Sequence, residues 1–274
     1  MTAQQHTTIG DVFSAGAEEF HRWSPLLWDR VGDATAAAAA PEPGERVLDA
    51  CCGAGASALP AARAAGGGGT VDAVDLSRSL LDIGERRARE EGLENIRFHR
   101  HDVTKWSLPD DGNDSGYDVV QCALGVFFFP DMDRDTAALA RLLRPGGRLA
   151  VTVWEKGALG GWGQALKSAV ETERAWPGSS QSAQLARIET AESLASWMKG
   201  LGLTDPHVVR RELDVPLTVE SAWDLAVGSG TRALLDGLAP AAVERVHARF
   251  TDLIATASVT DLDVRILTGT AAAA

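Results

Sequence analysis

The chain has 274 residues, 45% of them hydrophobic and 23% charged, with a formal net charge of −12. That length allows a sizeable core and the composition is that of an ordinary globular protein, while the acidic balance speaks against a nucleic-acid partner, which calls for a basic face. Three cysteines, Cys51, Cys52 and Cys122, give neither a disulfide framework nor a metal site of zinc type, and fit a reduced, cytoplasmic compartment.

Met1 to Thr8 are polar and lack the apolar stretch of a secretory leader, and no run of about 18 apolar residues suggests a membrane span. Residues 8–39 read as two helices. Ile9, Phe13, Ala17, Phe20 and Trp23 recur at helical spacing, and Ser24-Pro25 then reads as an N-cap and first helical position. Pro41-Glu42-Pro43-Gly44 ends this segment, which must pack on the domain or form a lid over it. From residue 45 strands and helices alternate: strand 46–50, helix 57–65, strand 71–75, a helix capped by Ser77 and stopped by Gly92, strand 95–99, a polar loop 101–116 carrying Trp106, strand 117–122, helix 133–143 and strand 148–154. The cluster Arg86-Arg87-Ala88-Arg89, flanked by glutamates, reads as a solvated helix face. Repeated βα units of this size predict an α/β fold, a parallel sheet with helices on both faces. Beyond it the spacing predicts helices over 164–173 and 190–201, a serine- and glutamine-rich loop after Pro177, a strand over 208–215, helical stretches 221–227, 232–238 and 241–255, a last strand 263–267, and a loose tail, 271–274. Thr190 is followed by Ser193 rather than the glutamate of a full capping box.

The chemistry gathers at Asp49-Ala50-Cys51-Cys52-Gly53-Ala54-Gly55, where an apolar strand feeds a helix through a turn that glycine makes tight. Asp49, Asp75 and Asp102 stand at or just after the ends of three successive strands, the edge at which open α/β sheets bind ligands. Asp75 follows Gly55 at the spacing where an acid after the second strand takes ribose hydroxyls. Gly53-Ala54-Gly55-Ala56-Ser57-Ala58 formally satisfies the dinucleotide fingerprint, so an NAD(P)-binding oxidoreductase is the rival reading. Against it, an acid at Asp49 would repel a pyrophosphate, whereas it suits a ligand bearing a cation.

Val47-Leu48-Asp49 followed by Cys52-Gly53-Ala54-Gly55 resembles motif I of the class I S-adenosylmethionine-dependent methyltransferases. Val74-Asp75-Leu76-Ser77, His101-Asp102-Val103, Tyr117 to Gln121 and Leu142 to Leu149 continue the resemblance in order over about residues 45–155, most similar to the ubiquinone/menaquinone C-methyltransferase branch. The resemblance implies a Rossmann-like seven-stranded sheet with an antiparallel last strand. It divides the chain into an N-terminal lid (1–44), a cofactor domain (45–216), a helical cap insertion (217–257) and the last strand and tail (258–274). It also implies roles: Ala50 to Gly55 line the methionine part of the cofactor, Asp49 faces its ammonium directly or through water, and Asp75 takes the ribose. Leu76 and Val103 flank the adenine, Asp102 accepts its amino group, and Gln121 and Cys122 end the fourth strand nearest the sulfonium. Cys51 stands where the family usually has glycine, and the vicinal Cys51-Cys52 also raises an arsenic or redox reading that wants a third cysteine nearby. The apolar segment Ala123 to Pro130 replaces the Asn/Asp-Pro-Pro-Tyr/Phe signature of nucleic-acid amino methyltransferases and suits a greasy or aromatic small-molecule acceptor, with O-, C- and N-methylation open. Phe20, Trp23, Trp28, Phe127, Trp154 and Trp223 are the expected pocket walls, and His21 and His101 the candidate bases. A methyltransferase fold acting as a cyclase or binding protein, and assembly as a homo-oligomer, stay open.

Overall fold

The computed structural model describes residues 8–109 and 116–274; the polar start, and residues 110–115 of the loop before the fourth strand, lie outside the described residues. Four N-terminal turns come first: α1 (Ile9–Ala15), α2 (Ala17–Arg22), a π turn (Ser24–Trp28) and α3 (Asp29–Ala39). Ser24-Pro25 does not cap a helix. Trp23 and Asp29 are both in the right-handed helical region, and the chain runs through the π turn with no side-chain cap. Then follow β1 (Arg46–Ala50), α4 (Ala58–Ala65), β2 (Thr70–Asp75), α5 (Arg78–Glu90), β3 (Ile96–Arg100), β4 (Tyr117–Ala123), α6 (Met132–Ala140) and β5 (Leu143–Trp154). The chain closes with α7 (Gly160–Val170), α8 (Ser180–Leu185), α9 (Ala191–Gly200), β6 (Thr204–Pro216), α10 (Val219–Val227), α11 (Pro240–Thr256) and β7 (Asp261–Ala272).

The seven strands form one sheet in the order β3-β2-β1-β4-β5-β7-β6. Only β7 runs against the others, pairing antiparallel with both β5 and β6. β1 is buried at every position, as a central parallel strand covered on both faces must be. The strand order reverses between β1 and β4, so the loops after these two strands diverge there and leave a crevice.

Several differences from the sequence reading have physical causes. The tail is not loose: Ala271 and Ala272 pair with Leu149 and Arg148, and Ala273 N–H donates to Gly147. Alanine gives no strand signal of its own, so pairing decides. The segment after Pro177 is not all loop. Ser179 caps α8 by accepting from Ser182 N–H, and no side chain of α8 is buried, so no apolar period announced it. At α9, Ser193 reaches back to the Thr190 N–H and completes a reciprocal cap without the expected glutamate.

Two glycine contacts weld the N-terminal helices to the rest. A Cβ on Gly32 of α3 would lie 2.1 Å from the Ala56 carbonyl oxygen, and one on Gly16 would lie 2.2 Å from that of Val227. Trp23 Nε1 donates to the Ser221 carbonyl, and Arg22 forms a two-pronged pair with Asp224, so α2 and α10 form one cover. Deeper, Thr35, Thr152 and Thr268 form a buried hydroxyl chain from α3 through β5 to β7.

Gly32→Ala is expected to lower stability by about 3 kcal/mol or more, because the obstacle is backbone at the start of α4 and cannot turn aside. Urea denaturation of the variant against wild type checks it, with unchanged midpoint as the contrary result.

Candidate active site

A cavity of about 470 Å³ opens at the carboxyl ends of β1, β4 and β5. One side is the loop after β1. Gly53, at φ +53°, and Gly55, at φ +86°, hold backbone conformations that L side chains rarely adopt. The loop is pinned from β2. Cys52 N–H donates to the Val74 carbonyl, and Gly53 N–H donates to Asp75 Oδ2 at 2.9 Å. Asp75 Oδ1 takes the Ser77 N–H at 2.8 Å. Burial raises the Asp75 carboxyl above its ordinary value, opposed by these backbone donors.

Asp75 lines this cavity, while the next residue, Leu76, lines a second recess with Gly10, Arg100, His101 and Asp102. Helix α1 crosses both. Ile9 and Phe13 face the first and Thr8, Gly10 and Asp11 the second, and the Ser14 hydroxyl bonds that of Ser77. A ligand with ribose at Asp75 would therefore carry its base onto Leu76 and its other arm past Gly53 into the cavity. The donor set suits such a ligand: an ionisable carboxyl and glycine backbone at one end, and an exposed leucine beside an acid at the other. Asp102 caps the turn after β3 through Thr104 N–H and Oγ1 and pairs with Lys105. Val103 is buried behind it.

Asp49 itself does not reach the cavity. It is fully buried, and both its oxygens accept the Ser57 hydroxyl, at 3.0 and 2.9 Å. Ser57 lines the cavity in its place. Gln121, also fully buried, donates from Nε2 to the Ser57 carbonyl, and its Oε1 has no protein partner. Ala50 is buried in β1, and Gly55 faces Leu59 and Phe98.

Of the expected walls, Phe20, Trp28, Phe127 and Trp154 line the cavity, with Phe20 and Trp28 stacked at 4.8 Å. Trp23 and Trp223 do not. Trp23 is 1% exposed with its indole N–H spent on Ser221, and Trp223 stacks on His247 of α11. The candidate bases are also displaced. His101 sits at the second recess with Nδ1 on the Asp102 carbonyl. His21 lies outside the cavity lining, and burial together with Arg87 and Arg86 lowers its pKa. Among the described residues lining the cavity only Asp75 and the thiols of Cys51 and Cys52 can titrate. The sequence reading missed Leu159, Trp162 and Trp176 and the α8 residues Gln181 and Leu185, while Leu124 falls in the apolar segment 123–130 that it expected beside the acceptor. An aromatic count around the glycine-rich stretch 157–163 would have flagged Trp162 alone. The vicinal cysteines part company: Cys52 belongs to the apolar cluster with Val47, Ala58 and Leu81, whereas the Cys51 thiol meets Cys122 from β4. Among the described residues no group of three His, Cys, Asp or Glu could hold a metal ion, and no helix is long and apolar enough to cross a membrane.

Sheet order, glycine-turned loop and acid after β2 together define a Rossmann-like fold of the methyltransferase class. The chain belongs to the ubiE/COQ5 methyltransferase family, whose model matches residues 3–168. It is 36% identical over 112 residues to nocamycin O-methyltransferase of Saccharothrix syringae, covering 41% of this chain and 39% of that one. It is 30% identical over 144 residues to aklanonic acid methyltransferase of a Streptomyces species, covering 53% and 64%. The matched part thus spans less than two thirds of each relative. The fold is shared with a phosphoethanolamine N-methyltransferase of Haemonchus contortus, at a TM-score of 0.59 and 16% identity over 98% of this chain and 61% of that one.

Burial pushes the Asp49 carboxyl from its ordinary 3.8 up to about 7, against the lowering pull of Ser57 and Gln121. The folded chain therefore keeps a proton there that the unfolded chain has released. Stability should fall as pH rises from about 4 to about 7, by about 1.4 kcal/mol per pH unit from this group, and level off on either side. Asp49→Asn should remove that slope. Urea midpoints for both proteins across pH 4 to 8 decide it, and parallel profiles would rule out the linkage.

Proposed function

We propose that the chain moves a methyl group from S-adenosylmethionine to a small, mostly apolar or aromatic acceptor. The observation that carries this reading is continuity: Cys51, Gly53 and Asp75 open onto the same cavity as Phe127, Trp154 and Trp162. The names of the nocamycin and aklanonic acid relatives support the acceptor class. The net charge of −12 supports an acceptor that is not a nucleic acid, and three cysteines without a disulfide framework support a cytoplasmic enzyme.

In this reading Asp75 takes the ribose hydroxyls with the lone pairs left beside its two backbone bonds. Leu76 and Val103 flank the adenine, and Asp102 accepts from its amino group. Asp49 acts through Ser57 on the ammonium side, and Gln121 fixes that serine from β4. When bound, the cofactor supplies an already electrophilic methyl group. What the protein adds is alignment of the acceptor at roughly 3 to 3.5 Å and exclusion of water by the aromatic walls. Neither His21 nor His101 is required as a base.

Calorimetric titration with S-adenosylmethionine, S-adenosylhomocysteine and NAD should show binding of the first two and not of NAD; the reverse pattern sinks the proposal. Asp75→Ala should weaken S-adenosylhomocysteine at least about tenfold, the equivalent of ~1.4 kcal/mol. Unchanged affinity would remove Asp75 from the ribose seat.

A further inference from the structure

Six residues other than glycine have positive φ among the described residues. Three of them, Ala40, Asp205 and Ser258, are small or polar and exposed, where a left-handed residue closes a helix or a turn. The other three are Cys51 (φ +58°), Leu124 (φ +54°) and Leu159 (φ +59°). All three are half-buried, and all three line the large cavity. A bulky L residue in this region crowds its Cβ against its own backbone, so it persists only where the surroundings demand it.

Their positions are related. Cys51 is the first residue after β1 and Leu124 the first after β4, so the two stand side by side where the sheet order reverses. Leu159 leads into α7, beyond the end of β5. The two leucines are held by more than their side chains: Leu124 N–H donates to the Thr152 carbonyl and Leu159 N–H to that of Asp263. Between Cys51 and Gly125, the residue after Leu124, there is no slack. A Cβ on Gly125 would lie 2.6 Å from Cys122 Sγ and 2.7 Å from Cys51 Cβ. Glycine abounds nearby, at Gly53, Gly125, Gly157 and Gly160, yet at these three positions the chain carries a side chain and bears the strain.

We propose that Cys51, Leu124 and Leu159 are residues that set the size and shape of the acceptor this cavity takes, the left-handed backbone at each placing it in the cavity wall, with the Cys51 thiol turned toward Cys122. The proposal rests on the methyltransferase reading and names the residues that select its acceptor. A left-handed residue at a strand end leaves the in-and-out alternation of the pleat, so its side chain can join the crevice wall rather than either face of the sheet. The cavity walls these three help build carry no ionisable side chain other than Asp75 and the thiols of Cys51 and Cys52, so the acceptor they select is an uncharged ring system rather than an ion.

The test compares glycine with alanine at the same site. For an ordinary packed leucine glycine is the worse replacement, because it adds backbone freedom to the unfolded chain. At a left-handed position the order reverses. Leu124→Gly and Leu159→Gly should therefore melt no lower than Leu124→Ala and Leu159→Ala, and Cys51→Gly no lower than Cys51→Ala. Fluorescence titration of the S-adenosylhomocysteine-loaded protein with 1-naphthol and 1-hydroxypyrene then reads the cavity. Both leucine-to-glycine variants should shift the ratio of the two dissociation constants at least about fivefold toward the larger ring. The affinity for S-adenosylhomocysteine should stay within about twofold of wild type. Glycine variants that melt several degrees below their alanine counterparts, or a ratio that stays within twofold in both variants, would overturn the proposal. If wild type fails to bind S-adenosylhomocysteine, the methyltransferase reading falls instead. The ring-size ratio, measured then without it, still decides the assignment of the three side chains.

Discussion

Asp49 is a carboxyl with no exposure to solvent, and only the Ser57 hydroxyl and the Gln121 amide stand against the cost of putting it there. That requirement fixes much of the ligand edge of the sheet. Ser57 occupies the N-cap position of α4, yet its hydroxyl caps nothing, because both contacts go back to Asp49. Its carbonyl is spent as well, on Gln121 from β4. The loop from Cys51 to Ala56 is thereby tied to β1 and β4 at its far end and to β2 through Cys52 and Gly53. Arg87 of α5 closes the remaining side, donating to the Ala54 carbonyl and pairing with Asp29 of α3. A cluster that reads in sequence as a solvated face thus contributes one internal brace. The α4 N-terminus, with its positive end toward Asp49, adds a weak pull in the same direction.

The covers over this edge are built from backbone contact rather than from side-chain bulk alone. Gly16 and Gly228 bring α2 and α10 so close that a Cβ on either would meet main-chain atoms of the other segment. Such contact leaves little freedom for sliding, since close-packed backbones have discrete arrangements. The N-terminal helices and the segment between β6 and β7 therefore behave as one body, although about 200 residues separate them in sequence. Gly32 extends the same body onto the start of α4, so the cover and the loop beneath it share a rigid contact.

What sequence could reveal divides along physical lines. The β1-to-β5 units are legible because a buried parallel strand must be continuously apolar and its turn must contain glycine: Arg46 to Ala50 and Ser77 before α5 emerge where expected. Asp75 and Gly53 are legible for the same reason, since spacing along one βαβ unit is local. Trp23 and Trp223, expected as pocket walls, lie elsewhere because apolar period marks a buried face without saying which neighbour buries it, and in both cases the neighbour is another helix. Leu124 shows in sequence only as part of the apolar segment 123–130, and Leu159 carries no pattern at all. Their place in the cavity follows from backbone angles, and a leucine at positive φ leaves no trace in composition or periodicity.

The cavity's walls are also unequal in what holds them. Trp28, Trp162 and Leu225 belong to a core cluster that runs through α3, α7, α10 and α11. By contrast α8, which contributes Gln181, Ser182 and Leu185, has no fully buried side chain, only Leu185 packing half-buried against the core. It is fastened by the Gln184 amide, whose Nε2 donates to the carbonyls of Phe127 and Phe129 and whose Oε1 accepts from Met132 N–H. Three hydrogen bonds, each worth about 1 kcal/mol net, are far less than the burial that secures α3 or α10. Local opening draws on the elements with least buried apolar surface. The same three bonds hold the turn that presents Phe127 and Phe128 to the cavity, so the least buried wall is fastened to the residues that shape the interior.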